Sequence, residues 1–209
     1  MGRPRFENLE TERQTRLFDS AAEEFAERGF EAASLNQILE KSGMSKSSLY
    51  YYFDDKADLF VSLAERSIAY LWREIGGFDT AVLTADNFWD ELENQGQRAL
   101  DVFTRNVWYV KLARMVLRLR GEPKGIEKTG RLFDAARLFV ANVLERGQEL
   151  GAVRTDLPQS LMIDCAMGLG EALDRWMIMH WDEMDDAAKL KMISVDFGLF
   201  RRLFAADSS

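Results

Sequence analysis

Wherever this chain is apolar, it is apolar at helical spacing. Leu17, Ala21 and Phe25 recur four apart, with Phe18, Ala22 and Ala26 beside them. The same three-and-four spacing returns along the whole length, and strict alternation does not occur. Only three prolines are present, at positions 4, 123 and 158, and the glycines gather at the apparent breaks: 29, 43, 76–77, 121, 125 and 151. Such punctuation predicts an all-α fold of about nine helices, with no strand, internal repeat or low-complexity tract.

The helix ends can be placed from their chemistry. Thr11-Glu12-Arg13-Gln14 has the form of a capping box and opens the first helix, with Gly29 as its C-terminal stop. Ser34-Leu35-Asn36-Gln37 repeats the form for a second helix ending at Ser42-Gly43. Ser45 caps a short third helix to Tyr52. Asp54 or Asp55 caps a long fourth that reaches Gly76. Five more are expected over about 84–104, 106–120, 127–149, 158–181 and 184–205, with Pro158 suited to a first helical position. Gly147 falls mid-helix, where glycine costs on the order of 1 kcal/mol relative to alanine, and nothing in the sequence accounts for it.

Composition narrows the classes. Of 209 residues 47% are hydrophobic, enough for a sizeable core, and the net charge is −8. That charge argues against a protein that coats nucleic acid nonspecifically, while leaving room for a local basic footprint. The most apolar stretch, 161–181, carries Asp164, Glu171, Asp174 and Arg175, which excludes a membrane span and a membrane partner. The N-terminus Met1–Phe6 lacks the apolar core of a signal peptide, and one cysteine, Cys165, forms no intrachain disulfide; a cytoplasmic setting is expected. Cys165, mid-helix among apolar residues, reads as a buried structural thiol. With His180 the single histidine, no zinc site of the usual kind can be assembled. Phosphate-loop, dinucleotide and nucleophile-elbow motifs are absent, so neither a cofactor nor an enzyme activity is expected. The charged run Asp19–Arg28 reads as a solvated helix face.

Residues 34–56 carry the sharper signal. A short helix, a glycine turn and a second short helix present one helix to a DNA groove. Ile38, Leu39, Met44 and Leu49 pack the pair, and Gly43 supplies the positive φ of the turn. Ser45, Lys46, Ser47 and Ser48 open the third helix with small donors and one cation, which lets the backbone come close to a groove while Lys46 reaches a guanine edge or a phosphate. Tyr50, Tyr51 and Tyr52 point about 100° apart and cannot all face a core. Lys56 begins the fourth helix, where the macrodipole is already positive; an anion there would explain it. Arg3 and Arg5, on the arm Gly2–Arg5, suit a narrow minor groove.

These residues resemble the DNA-binding domain of the TetR (tetracycline repressor) family. The run Ser34–Ile38, Ser42–Lys46 and Leu49–Leu59, with Ala21-Ala22 and Phe25–Phe30 upstream, carries the resemblance, over under a third of the chain. Leu39 and Ser42 stand where alanines are usual, and Tyr52 where histidine is common. The resemblance implies that Lys46, Ser47 and Tyr50 meet bases, and that Ser34, Ser48, Tyr51, Tyr52 and Lys56 meet phosphates. It implies two domains: 1–56, a three-helix DNA-binding unit, and 57–209, which binds an effector and dimerises through its last two helices. For the homodimer interface the residues are Met162, Ala166, Leu169, Leu173, Ile193, Phe197, Phe200 and Phe204. For a largely apolar small-molecule effector they are Phe88, Phe103, Trp108, Tyr109, Leu112, Met115, Phe139, Val143 and Trp176, an aromatic and methionine set suited to an adaptable cavity. The expected function is a repressor released from a palindromic double-stranded DNA operator by its effector. A helical protein-interaction module without DNA binding stays open as the alternative.

Overall fold

The structure, a computed structural model, describes residues 4–121 and 123–206. Ten α-helices are present among the described residues: α1 (Pro4–Glu7), α2 (Thr11–Ala32), α3 (Leu35–Ser42), α4 (Lys46–Tyr52), α5 (Lys56–Glu74), α6 (Phe88–Arg105), α7 (Trp108–Arg120), α8 (Pro123–Glu149), α9 (Gln159–Met179) and α10 (Asp186–Phe204). Two 3-10 turns, Thr80–Val82 and Trp181–Glu183, complete them, and among the described residues extended pairing is limited to one bridge between Val153 and Ala205. The expected all-α class is what forms.

Local chemistry explains most boundaries and corrects a few. The capping box at Thr11 does not form: Glu10 is the N-cap and gives no side-chain bond. Gln14 instead turns back to the preceding segment, donating through Nε2 to the carbonyls of Leu9 at 2.8 Å and Glu7 at 3.2 Å. Glu7 ends and Leu9 follows the extra helix α1, whose Pro4 and Arg5 belong to the arm Gly2–Arg5 expected from sequence. Gly29 does not stop α2 but breaks it; φ 72° there turns the chain before a last helical turn to Ala32. Helix α6 starts four residues later than expected, because Thr84 and Asn87 bond reciprocally, each backbone N–H donating to the other's side chain. Pro158 is the N-cap of α9, one place before the position expected.

The chain divides into two compact units. The first comprises the residues up to Tyr70 together with Trp108–Leu132; the second comprises Leu71–Val107 and the residues from Phe133 on. In the first, Leu17, Ala21, Phe25, Ile38, Leu49, Phe53, Leu59 and Phe60 form a core joined by Leu112, Met115 and Leu119 of α7. Phe6 of α1 is buried there, edge-on to Phe18, Tyr52 and Phe53. Each such apolar side chain contributes roughly 1.5–3 kcal/mol. In the second unit, Leu83, Phe88, Val143, Leu144, Val153, Met162, Ala166 and Phe204 are buried together. Gln95 ties α6 to the Gly77 carbonyl at 2.9 Å.

Gly147 now has its reason. A β-carbon there would press on Val153 and come within 2.6 Å of Phe88 Cζ. Glycine lets α8 close on both side chains, and that packing offsets its poor helix propensity. Gly147→Ala, which would gain propensity on an open helix, should instead lower stability by about 1–3 kcal/mol. Urea unfolding of the two proteins measures it; a variant as stable as its parent would mean that the contact relaxes without cost.

Candidate nucleic-acid interface

The interface begins with a glycine turn. Gly43 takes φ 69° as the C-cap of α3, and Ser45 restarts the chain two residues later as the N-cap of α4, accepting from Ser48 N at 3.1 Å. Ile38, Leu39 and Leu49 are buried between the two helices, and Met44 packs against them. The inward residues thus fix the outward ones. Lys46 and Ser47 are exposed on the first turn of α4, with Tyr50 (47% exposed) one turn along and Tyr51 (55%) next to it. Tyr52 turns inward, half-buried on Phe6. The Ser45 hydroxyl bonds those of Ser47 at 3.0 Å and Ser48 at 2.8 Å.

The charged residues behave less simply. Lys56 is not held ready for an anion alone. Its ammonium donates to the Glu31 carbonyl at 2.9 Å and the Ala33 carbonyl at 3.2 Å, and it lies 4.9 Å from the Phe30 ring. The C-terminal carbonyls of α2 thereby answer the unfavourable dipole at the start of α5, and among the described residues these two bonds use two of the three N–H groups of the lysine. Arg5 is helical, with its guanidinium 5.1 Å from the Tyr51 ring, so it is not part of a loose arm. Arg3 lies outside the described residues. Ser34 is the N-cap of α3, though its bond from Gln37 N is long at 3.5 Å.

Glu24 is the residue that sequence reasoning missed. It belongs to the charged run read as solvated, yet it is 2% exposed. Its Oε1 accepts the Ser34 N–H at 2.9 Å and lies 3.3 Å from Arg28 Nε. The signal was present in the spacing: position 24 stands three after Ala21 and seven after Leu17, inside the apolar stripe. Its neighbour Glu23 faces out and accepts from Lys41 at 2.8 Å, a bond that holds the Lys41 ammonium above its ordinary pKa. Two glutamates of α2 therefore orient the two ends of α3.

Helix α5 is capped by a reciprocal pair. Asp58 N donates to Asp55 Oδ1 at 2.9 Å, while Asp54 N donates to Asp58 Oδ2 at 3.0 Å. This closes the turn directly after α4, with Phe53 buried inside it.

The remaining expected site residues divide between the units. Leu112, Met115 and Tyr109 are buried in the first unit, and Trp108 donates from Nε1 to Ser67 Oγ at 3.4 Å. Phe88 and Val143 are buried in the second, where Phe103 and Phe139 are half-buried. Trp176 does not face a core: it is exposed on α9 and stacks on His180 at 4.4 Å. Met162, Ala166 and Phe204 are enclosed in their own unit's core, so their faces are not open to a partner. Leu169, Leu173, Ile193, Phe197 and Phe200 are half-buried, and Gly96 lets Phe197 and Ile193 lie against α6. The outward stripe of α9 is Leu161, Cys165, Gly168, Ala172, Trp176 and Met179, the last 67% exposed. Cys165 is therefore exposed, not a buried thiol; Met162 and Ala166, on either side of it, take the inward face.

Beside this stripe sit two carboxyls that hold their protons more tightly than an ordinary aspartate. Desolvation by its crowded neighbours, then the charges of Asp196 and Glu171, push Asp174 up to about 6, although the residue is exposed. Burial alone pushes Asp196 to about 6, and its Oδ1 is enclosed with no hydrogen-bond partner among the described residues. An unfolded aspartate titrates near 3.9. Between about pH 4 and 6 the native state holds more protons than the unfolded chain, so this pair lowers stability as pH rises through that window. Asp196→Asn should match its parent near pH 3 and exceed it in unfolding free energy above pH 7. A difference that does not vary with pH would show that burial does not act through the charge.

Comparison with known proteins places this geometry. Residues 17–63 match the family model for bacterial regulatory proteins, tetR family. The HTH-type transcriptional regulator YdgC of Bacillus subtilis is 30% identical over 173 residues, covering 78% of this chain and 79% of that protein. The HTH-type transcriptional repressor AcnR of Corynebacterium diphtheriae is 28% identical over 150 residues, 70% of each chain. Among solved structures, the regulator FadR from Bacillus subtilis in complex with stearoyl-CoA shares the fold with a TM-score of 0.65 at 17% identity, covering 89% of this chain and 96% of that one.

Proposed function

This chain belongs to the tetR family of bacterial regulatory proteins, and from that premise we propose that it is a dimeric repressor released from a palindromic operator by a small effector. It is a DNA-binding transcriptional regulator, not an enzyme. What carries the finer reading is the first turn of α4, where exposed Lys46, Ser47 and Tyr50 stand on a helix fixed from beneath by buried Ile38 and Leu49. Lys46 and Tyr50 read base edges in the major groove, with Ser47 small enough to admit the backbone. Ser34, Ser45, Ser48, Tyr51, Tyr52 and the third N–H of Lys56 meet phosphates, with Arg5 reinforcing that edge.

Residues 1–56 serve as the DNA-binding domain and 57–209 as the effector and dimerisation domain. The outward apolar stripe of α9 and the neighbouring exposed Leu190 and Leu203 of α10 support an isologous dimer face, since monomers seldom leave such side chains in one row. AcnR is named a repressor and FadR was solved with stearoyl-CoA, which supports repression and a largely apolar effector for this chain. In the second unit the half-buried rings of Phe103 and Phe139 are its candidate contacts. By this reading the effector shifts α5, changes the separation of the two α4 helices and so removes the match to half-sites about 34–36 Å apart. The protein acts in the cytoplasm, where its operator lies.

Gel retardation on a duplex selected from random DNA tests the contact assignment. Lys46→Ala should weaken the selected site by about tenfold to a hundredfold while changing binding to random duplex far less. Equal losses on both would make Lys46 a phosphate contact. Failure of the parent protein to retard any duplex at low salt would sink the proposal.

A further inference from the structure

Helix α5 carries Asp58 and Glu65 seven positions apart, on one face and two turns from each other. Both side chains are largely enclosed, and a single arginine of α8 meets both: Arg131 Nη2 lies 3.5 Å from Asp58 Oδ1, and Nε lies 3.2 Å from Glu65 Oε1. Asp58 has a second duty. Its other oxygen accepts the N–H of Asp54, in the turn that directly follows α4. An unbroken line of polar contacts therefore runs from α8 through Asp58 into the turn behind the DNA-reading helix. The planar guanidinium, with donors on two edges, suits a bridge between two carboxylates in a way that a lysine ammonium does not.

We propose that Arg131 is a positioning residue for DNA binding: by clamping Asp58 and Glu65 it fixes the turn between α4 and α5, and it is the point at which α8 acts on that turn. The inference rests on the DNA-binding reading above and adds to it a named residue outside the helix-turn-helix. Helix α8 is continuous from Pro123 to Glu149, so a displacement along it reaches position 131 without crossing a loop. With the clamp closed, the angle at which α5 presents α4 is held, and the separation of the two α4 helices in a dimer is held with it. With the clamp open, the turn still has its Asp55 cap but loses the tie that sets its orientation.

The test uses the full-length protein and the duplex it selects from random DNA, together with versions whose half-sites are one base pair closer or further apart. The readout is the ratio of affinities between the selected spacing and the altered ones, beside the thermal midpoint. Arg131→Met should cut that ratio by roughly twofold to thirtyfold, making the protein tolerant of spacing. Glu65→Gln, which leaves the Asp58 cap untouched, should give part of the same effect, and the double variant should be no more tolerant than Arg131→Met alone. Arg131→Lys, able to hold one carboxylate at a time, should fall between. A lower midpoint and a uniform loss of affinity with the ratio unchanged would make the clamp merely structural and overturn the proposal. A parent protein that selects no duplex would instead overturn the DNA-binding reading itself, and the clamp's role with it.

Discussion

The first unit depends on one short piece of helix that is buried on every side. From Asp58 to Ala64 every residue of α5 is buried. A helix enclosed through two turns has to be surrounded. The surrounding core draws Leu17, Phe18, Ala21 and Phe25 from α2, Ile38, Leu39 and Leu49 from α3 and α4, and Leu112, Met115 and Leu119 from α7. Removing any large member leaves a cavity costing about 2–5 kcal/mol. The rigidity that follows matters for α4, because a helix of only seven residues has no stability of its own. Helix α4 holds its shape because Leu49 and Phe53 are anchored beneath it.

Polar groups add direction to this packing. Three helix starts in the unit are specified by side chains: Ser34 for α3, Ser45 for α4 and Asp55 for α5. Each cap satisfies an orphan N–H and contributes about 0.5–2 kcal/mol. Buried Glu24 and paired Glu23 then orient α3 from the α2 side, and Lys56 closes the C-terminal end of α2. The same residues that resemble a DNA-contacting motif are thus partly engaged in holding the unit together. Lys56 is the clearest case: its place at a helix N-terminus is explained by two carbonyls before any phosphate arrives.

Much of this was legible in the sequence. Apolar spacing gave the helices, and cap chemistry gave the starts of α3, α4 and α5. Gly43 gave the turn, because its φ of 69° is one that side-chain-bearing residues resist. What was hidden depended on contacts distant in sequence. Phe6 could not be assigned to the core without seeing the Phe18, Tyr52 and Phe53 rings that receive it. Glu24 was masked by its neighbours, since a charged run suggests solvent even where its spacing matches the buried stripe. Gly147 made sense only once Phe88 and Val153 were in place. On α9 the face of each residue mattered more than its apolar character: Met162 and Ala166 turn inward, while Cys165 and Trp176 turn out.

The central claim is that α4, carried on the enclosed segment of α5, reads DNA as one half of a symmetric pair. Hydroxyl-radical footprinting on the selected duplex tests it most directly. The account predicts two protected backbone segments related by a twofold axis, with the major groove between each pair of protected strands facing the protein and half-site centres about 34–36 Å apart. A single continuous protected stretch with no symmetry, or protection confined to the minor groove, would contradict it.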